Sequence, residues 1–291
     1  MPGKSWHLFL IGTSMSNLRI IYNNVADTAT ITASSTAAGF SVDNLKNTQK
    51  TSVHRSTGNN VVYTLTWAAY QQISAVALPA TNLTVVSNIQ VQFYDTVQSP
   101  TPFYDTGVIR ATGSEKTILL QGGITEPTYK DFGFGGATKT SIWLATTLNT
   151  KKVVITIFNG TPIDCARIIC GTFWESSRQA SNGISIDFSD SSEVTATRSG
   201  NTYVDRKPIT NSISLDLEYL NDLDRQELLK IMRSWGSSGL IYLCVFPGTL
   251  NSGLPNEELN ETYTIYGRSQ NNSVQYKLFS LYGTSLTINS W

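Results

Sequence analysis

Charge is scarce in this chain. Only 14% of its 291 residues are Asp, Glu, Lys or Arg, where about 25% is usual, and Ser, Thr and Asn supply the polarity instead. That composition excludes a coiled coil, a charged disordered tail and a highly helical protein. The 21 basic and 21 acidic residues cancel, so no electrostatic footprint marks a polyanion partner, and neither nucleic acid nor an anionic membrane is expected. Long apolar runs are missing too. Residues 8–11, the longest run near the start, fall far short of the roughly 20 that a bilayer span needs, so no membrane insertion is expected. With only Lys4 ahead of that run and an unsuitable cleavage region behind it, a signal peptide is not expected either, and the chain is placed in a cytoplasm.

Histidine is almost absent, with His7 and His54 alone, so a catalytic triad or a histidine-rich metal site would have to use one of them. His54 lies in Val53-His54-Arg55-Ser56-Thr57-Gly58, which is not a nucleophile elbow, and it reads as a surface or turn histidine beside Arg55. Neither a phosphate-binding loop nor a dinucleotide fingerprint is present. No catalytic residue, no metal ligand and no cofactor are expected, and the chain reads as a non-enzyme. The three cysteines, Cys165, Cys170 and Cys244, cannot all pair. They read as small core residues, the first two on opposite faces because their spacing is odd.

What the sequence has in quantity is β-forming pattern. Val61 to Trp67, Ile89 to Tyr94 and Val153 to Phe158 are rich in β-branched and aromatic residues, and runs at this spacing predict a sandwich or barrel. The sequence Phe93-Tyr94-Asp95-Thr96 recurs as Phe103-Tyr104-Asp105-Thr106, which predicts a hairpin with one copy on each side. Residues 113–140 are glycine-rich and read as a long insert. Further on, 184–188 and 213–219 alternate apolar and polar, as strands with one wet face do, and a polar hairpin lies between them at 189–201. One helix is expected over 222–235, capped by Asn221 or Asp222 and stopped by Gly236.

Two sets of residues are candidates for binding. Tyr94, Asp95, Tyr104 and Asp105 suit a saccharide, since a ring covers the apolar face of a sugar while carboxylates take its hydroxyls. The same residues also fit an ordinary half-buried hairpin. As a glycosidase pair, Asp95 and Asp105 lack any contrast of environment that would separate their pKa values. The acidic trio Asp187, Asp190 and Glu193 lacks the ligand pattern of a calcium loop and reads as a solvated strand end.

The order of these segments carries a resemblance. Residues 29–35 and 39–45, then Val53 to Gly58, 73–78 with Asn82-Leu83-Thr84, 89–94, Tyr104-Asp105-Thr106-Gly107, 153–158 and 166–171 together resemble a galactose-binding-like (discoidin-type) jelly roll of tailed-phage tail proteins. Residues 193–200, 213–219, 222–235 and 265–268 are similar to the tube-derived half of phage distal tail and baseplate proteins. The resemblance implies a mainly β chain with an N-terminal arm (1–24), a jelly-roll β-sandwich (25–172) and a tail-tube-like β-sandwich or barrel with one flanking helix (173–291). It further implies a structural virion protein of a tail tip or baseplate, assembled in the host cytoplasm. There it would form a homo-oligomeric ring, six copies being favoured and three an alternative, joining the tail tube to the hub and host-contacting tip. The interface would then fall on Glu193, Thr195, Thr197, Arg198 and Tyr203. The different function kept beside this one is a carbohydrate-binding module for host surface glycans.

Overall fold

Alternating residues in this chain become strands, and two of those strands are far longer than the sequence suggests. The computed structural model describes residues 17–84, 86–112, 138–180, 183–196, 200–207, 209–248, 260–270, 273–278 and 281–291. In the N-terminal portion the strands are β1 (Arg19–Ile21), β2 (Thr30–Ala33), β3 (His54–Arg55), β4 (Asn60–Thr81), β5 (Asn88–Tyr94), β6 (Tyr104–Asp105) and β7 (Ile109–Arg110). There follow β8 (Thr138–Phe158), β9 (Asp164–Cys165), β10 (Ile169–Gly171), β11 (Phe173–Glu175), β12 (Ser185–Asp190), β13 (Glu193–Ala196), β14 (Thr202–Asp205) and β15 (Ile209–Leu220). The helix α1 (Asp222–Trp235) precedes β16 (Leu240–Cys244), β17 (Thr264–Ser269), β18 (Gln275–Leu278) and β19 (Leu281–Ser290). The chain is mainly β, a β-sandwich followed by a second β unit with one flanking helix. Of the expected insert, 113–137 lie outside the described residues, while Thr138 to Thr140 begin β8.

The sandwich is built on β4 and β8, which pair antiparallel along almost their whole lengths with register shifts between Thr66 and Gln71 and again beyond Ile73. The β-forming run at 61–67 and the segment 73–78, separate in the sequence reading, lie on one strand. Ala68, Ala69 and Tyr70 break the alternation with three exposed residues, and the irregular pairing lets the ribbon bend there. Both halves then feed one core: Val61, Tyr63, Leu65 and Trp67 from the first and Ile73, Val76 and Leu78 from the second, with Ile89, Val91, Phe93, Val153, Ile155 and Ile157.

In the second unit the strand order is β11-β1-β16-β17-β19-β15-β12, with β18 on β19. Residues 19–21 of the expected arm therefore pair in this sheet, on β11 and β16, while 1–16 lie outside the described residues. Ile20 near one end of the path and Ile213, Leu215 and Leu217 near the other share a single core, so the sheet wraps around it. The helix has its Leu228 in that core. Asn221 accepts the Asp224 N–H at 2.9 Å, and Gly236, at φ 53°, ends the helix with an N–H to the Met232 carbonyl, as the sequence predicts.

The second half of β4 and the strands β16 and β17 of the wrapped sheet are buried on both faces along most of their lengths. Ile73, Val76 and Leu78 point into the sandwich, whereas Ala75 and Ala77 pack with Ile21, Ile169, Tyr242 and Tyr266 in a core shared by the two units. Small residues at 75 and 77 let the two sheets approach closely. Polar contacts reinforce the seam: the Ser141 and Tyr242 hydroxyls lie 2.5 Å apart, the Phe173 N–H donates to Ser74 at 3.2 Å, and the Trp291 indole N–H donates to the Thr48 carbonyl. Arg19 lies over Phe173, 4.5 Å from the ring centroid.

Cys165, Cys170 and Cys244 are free and buried, as read. The opposite-face reading of the first two is corrected, because both enter the sandwich core. Strand β9 ends at Cys165, and the chain turns before β10 begins, so strand parity does not carry across. His54 is corrected as well. It is buried, with Nδ1 2.9 Å from the Tyr63 hydroxyl and Nε2 3.1 Å from Thr36 Oγ1. Burial pushes its pKa below 6.5, against smaller raising effects of the Ser35 backbone and Asp164. Between 6.5 and the lower folded value the unfolded chain binds a proton that the folded chain does not, so this contribution is intact above pH 6.5 and is lost as pH falls through the folded value. The depressed carboxylates Asp105, Asp190 and Glu227 act only below about pH 4.5. Asp27, which burial raises against the pull of Arg167, takes up its proton earlier in the folded chain and acts in the opposite sense, so the His54 contribution is read from the difference between the unmodified chain and His54→Gln. The thermal midpoint is therefore expected to fall between pH 6.5 and 5, and this slope is expected to flatten in His54→Gln; equal slopes in both proteins would contradict the assignment.

Candidate functional site

The hairpin carrying the repeated motif forms as the sequence predicts. Gln92 stands opposite Asp105 and Phe93 opposite Tyr104. Odd positions of β5 point into the core and even ones outward, which sets what the four saccharide candidates can do together. Asp105 lies on the outer face, accepting from Gln90 Nε2 at 2.9 and 3.0 Å, from Gln92 Nε2 at 2.8 Å and from the Gly107 N–H at 2.8 Å. Partial burial raises its pKa, but the hydrogen bonds outweigh that and hold the carboxyl below its usual value. Tyr104 takes the other face, edge-on to Phe93 at 5.8 Å between centroids, and is 37% exposed.

Tyr94 is buried under Lys152, whose ammonium lies 4.0 Å from the ring centroid. That ring is thus covered rather than offered to a ligand. Asp95 is three residues along the strand from the partner of Asp105, about 10 Å by the strand rise. The structure thus separates the four residues instead of converging them, because adjacent positions on a strand face opposite ways.

Asp95 joins a different group. It accepts from the Tyr70 hydroxyl at 3.0 Å, an interaction that holds the Tyr70 pKa above its ordinary value. Tyr70, Gln72, Asp95 and Asn149 line an open recess beside the β4 bend, Gln72 and Asn149 being cross-strand partners. The Lys151 ammonium lies 4.7 Å from the Tyr70 ring centroid. Here an exposed aromatic ring, a carboxylate and two carboxamides stand together, which is a set able to hold a hydroxylated ligand. The sequence reading missed Tyr70, Gln72 and Asn149. Its signal was the break in alternation at 68–70; the register that brings Asn149 to Gln72 is invisible in sequence.

The other candidate surface is the hairpin between β12 and β15. Strand β12 ends the strand order of its sheet, and β13 and β14 continue the ribbon beyond it. From Phe188 to Ala196 this arm reaches about 25 Å at strand rise. It is less polar than its sequence suggests. Phe188 is 73% exposed, Val194 68% and Tyr203 66%, and Val204 and Ile209 are exposed too. Val194 stands opposite Val204, and Thr195 opposite Tyr203. Glu193 pairs with Lys207 at 2.6 Å, and Asp190 accepts the Ser192 N–H at 2.8 Å. Of the expected interface residues, Glu193, Thr195 and Tyr203 sit on the arm, while Thr197 and Arg198 lie outside the described residues. Phe188, Val194, Val204 and Ile209 were missed, since nothing in the sequence says that these side chains stay exposed.

No protein-family model and no curated protein matches this chain. Among solved structures it is similar to chitosan-binding module 1 of a chitosanase/glucanase from Paenibacillus sp. IK-5, at 18% identity over 52% of this chain and 100% of the module, with a TM-score of 0.36. It is similar also to a fucose-binding module of Streptococcus pneumoniae, at 13% identity over 52% of this chain and 95% of the module, with a TM-score of 0.36. The lectin domain of lectinolysin in complex with Lewis B antigen is similar at 14% identity, over 53% of this chain and 98% of that domain, with a TM-score of 0.34. These similar structures are carbohydrate-binding modules.

Proposed function

We propose that this chain is a structural protein that assembles with its own copies into a ring through the arm of β12 to β15. The observation that carries this reading is the exposed apolar set Phe188, Val194, Tyr203, Val204 and Ile209 on one hairpin that prolongs the end of a sheet. Exposed apolar surface and an open strand end are costly in isolation and favour pairing. The occupant is a second copy of the chain. The arm carries Asp187, Asp190, Glu193 and Asp205 beside Arg206 and Lys207 on a chain of zero net charge, so one copy offers both signs to the next. In the context that the sequence resembles, this is a virion protein of the tail tip or baseplate, with the jelly roll displayed outward from the ring. Absolute mass by light scattering tests it: we expect a closed multiple of the 31.9 kDa chain, six-fold first and three-fold as the alternative. A single-chain mass at every concentration would remove the reading.

A second reading is that the sandwich binds a saccharide at the Tyr70 recess, supported by the Tyr70, Gln72, Asp95 and Asn149 grouping. On this reading Tyr70→Ala weakens binding to an immobilised glycan at least tenfold, and Tyr104→Ala leaves it within twofold. Silence of the unmodified protein across a glycan array would exclude it.

A further inference from the structure

A closed ring of three or six copies cannot form through arm against arm. That contact uses the same surface on both chains and stops at two, so a ring needs a second, different surface to receive the arm. The root of the arm narrows where that surface lies. Ile209, the first residue of β15, stands opposite Asp190, the last of β12, so the arm leaves the sheet at that end. The other end of β15, at Leu220, is roughly 35 Å away at strand rise. There Tyr219, Leu223 and Tyr276 are each more than half exposed. Among the described residues of the second unit, they are the exposed large apolar or aromatic side chains that do not belong to the arm.

The three border one residue, Tyr282. Leu220 and Tyr276 are its cross-strand partners on β15 and β18, and the Tyr276 ring meets it edge-on at 5.5 Å between centroids. The Arg225 guanidinium lies 4.9 Å from the Tyr282 ring centroid. Tyr219 precedes Leu220, and Leu223 follows Asp222, which pairs with Arg225 at 3.5 Å and accepts from the Tyr282 hydroxyl. Glu218 pairs with Lys277 at 2.6 Å, so covering this surface leaves neither ion pair without its partner. Tyr219 adds an observation of another kind. Its φ of 58° is the one positive value outside glycine among the described residues, and it falls where the ladder shifts register between Leu217 and Leu220. A bulky residue adopts that conformation at a cost, and within the single chain its ring is not buried in return. Strain of this kind clusters where a residue serves a site or a partner.

We propose that Tyr219, Leu223 and Tyr276 form the surface that receives the arm of the next copy. This rests on the ring reading and deepens it by naming what the arm meets. Light scattering on two full-length variants tests it. One carries Ser at Phe188, Val194, Tyr203 and Ile209, and the other carries Tyr219→Ser, Leu223→Ser and Tyr276→Ser. Each alone is expected to give a single-chain mass. Their equal mixture is expected to reach twice the chain mass in a concentration series and no more, because one intact arm meets one intact receiving surface and growth stops there. If the Tyr219 triple variant assembles like the unmodified chain while the arm variant does not, this proposal is overturned and the ring reading stands without it. A mixture that stays at the single-chain mass also overturns it. A single-chain mass for the unmodified protein would remove both. Tyr219→Gly separates a partner role from a folding role, since glycine takes this φ freely. Its thermal midpoint is expected to hold or rise while association weakens at least tenfold; a lowered midpoint or unchanged association would take Tyr219 out of the contact.

Discussion

Replacing Phe188, Val194, Tyr203 and Ile209 together by Ser is expected to weaken self-association at least a hundredfold while leaving the thermal midpoint of the isolated chain within about 2 °C. The two halves of this expectation have one cause. These side chains are exposed and contribute nothing to either core, so removing them costs the monomer little, since surface substitutions usually stay within about 0.5 kcal/mol. Against a neighbour the same groups would be buried, at about 25 cal/mol for each Å² of apolar surface removed from water. Four such residues supply several kcal/mol, and each 1.4 kcal/mol is a factor of ten. Sedimentation equilibrium separates the two effects. Unchanged association would show that the arm is not the interface, and a collapsed midpoint would show that it belongs to the fold.

Tyr242→Ala is expected to cost about 3–5 kcal/mol, the range for a large buried aromatic, which is on the order of 10 °C in a domain of this size. Tyr242 is fully buried in the seam. It packs 6.4 Å from the ring centroids of both Trp143 and Tyr266 and shares a short hydroxyl contact with Ser141. Trp143 and Ser141 belong to the sandwich and Tyr266 to the wrapped sheet, so the truncation opens a cavity at the junction and strands a hydroxyl across it. Tyr242→Phe keeps the packing and is expected to cost only about 1 kcal/mol, the usual worth of a hydrogen bond. Calorimetry that found a loss below 1 kcal/mol for the alanine variant would mean that the units do not support each other through this core.

Much of this fold is legible in the sequence because it rests on short-range signals. The helix could be placed from Asn221 and Gly236, and the hairpin at 93–106 from its repeated motif. The strands β12 and β15 follow from strict alternation. What escaped depends on long-range pairing. Residues 75–81 are apolar on both faces because a second unit lies against them, and a continuous apolar run alone does not say what covers its outer side. His54 reads as a turn residue by its neighbours in sequence, yet Tyr63 and Thr36 enclose it. At the saccharide candidates, composition picked suitable residue types, while strand parity and register sent Tyr104 and Asp105 to opposite faces and gave Asp95 to Tyr70. The arm was found as a hairpin and taken as polar, because the alternation that ends on Phe188 says which residues share a face and not whether that face is covered, while Val194 and Tyr203 belong to no periodic run.

The most direct test of the central claim is cross-linking within an equal mixture of ¹⁴N- and ¹⁵N-labelled chains, read by mass spectrometry at the single arm lysine, Lys207. If the arm meets a second copy, Lys207 peptides will carry mixed-isotope links in proportion to the mixture, and these will vanish in the four-serine arm variant. Lys207 links that are purely of one isotope, at concentrations where the chain is associated, would contradict assembly through the arm.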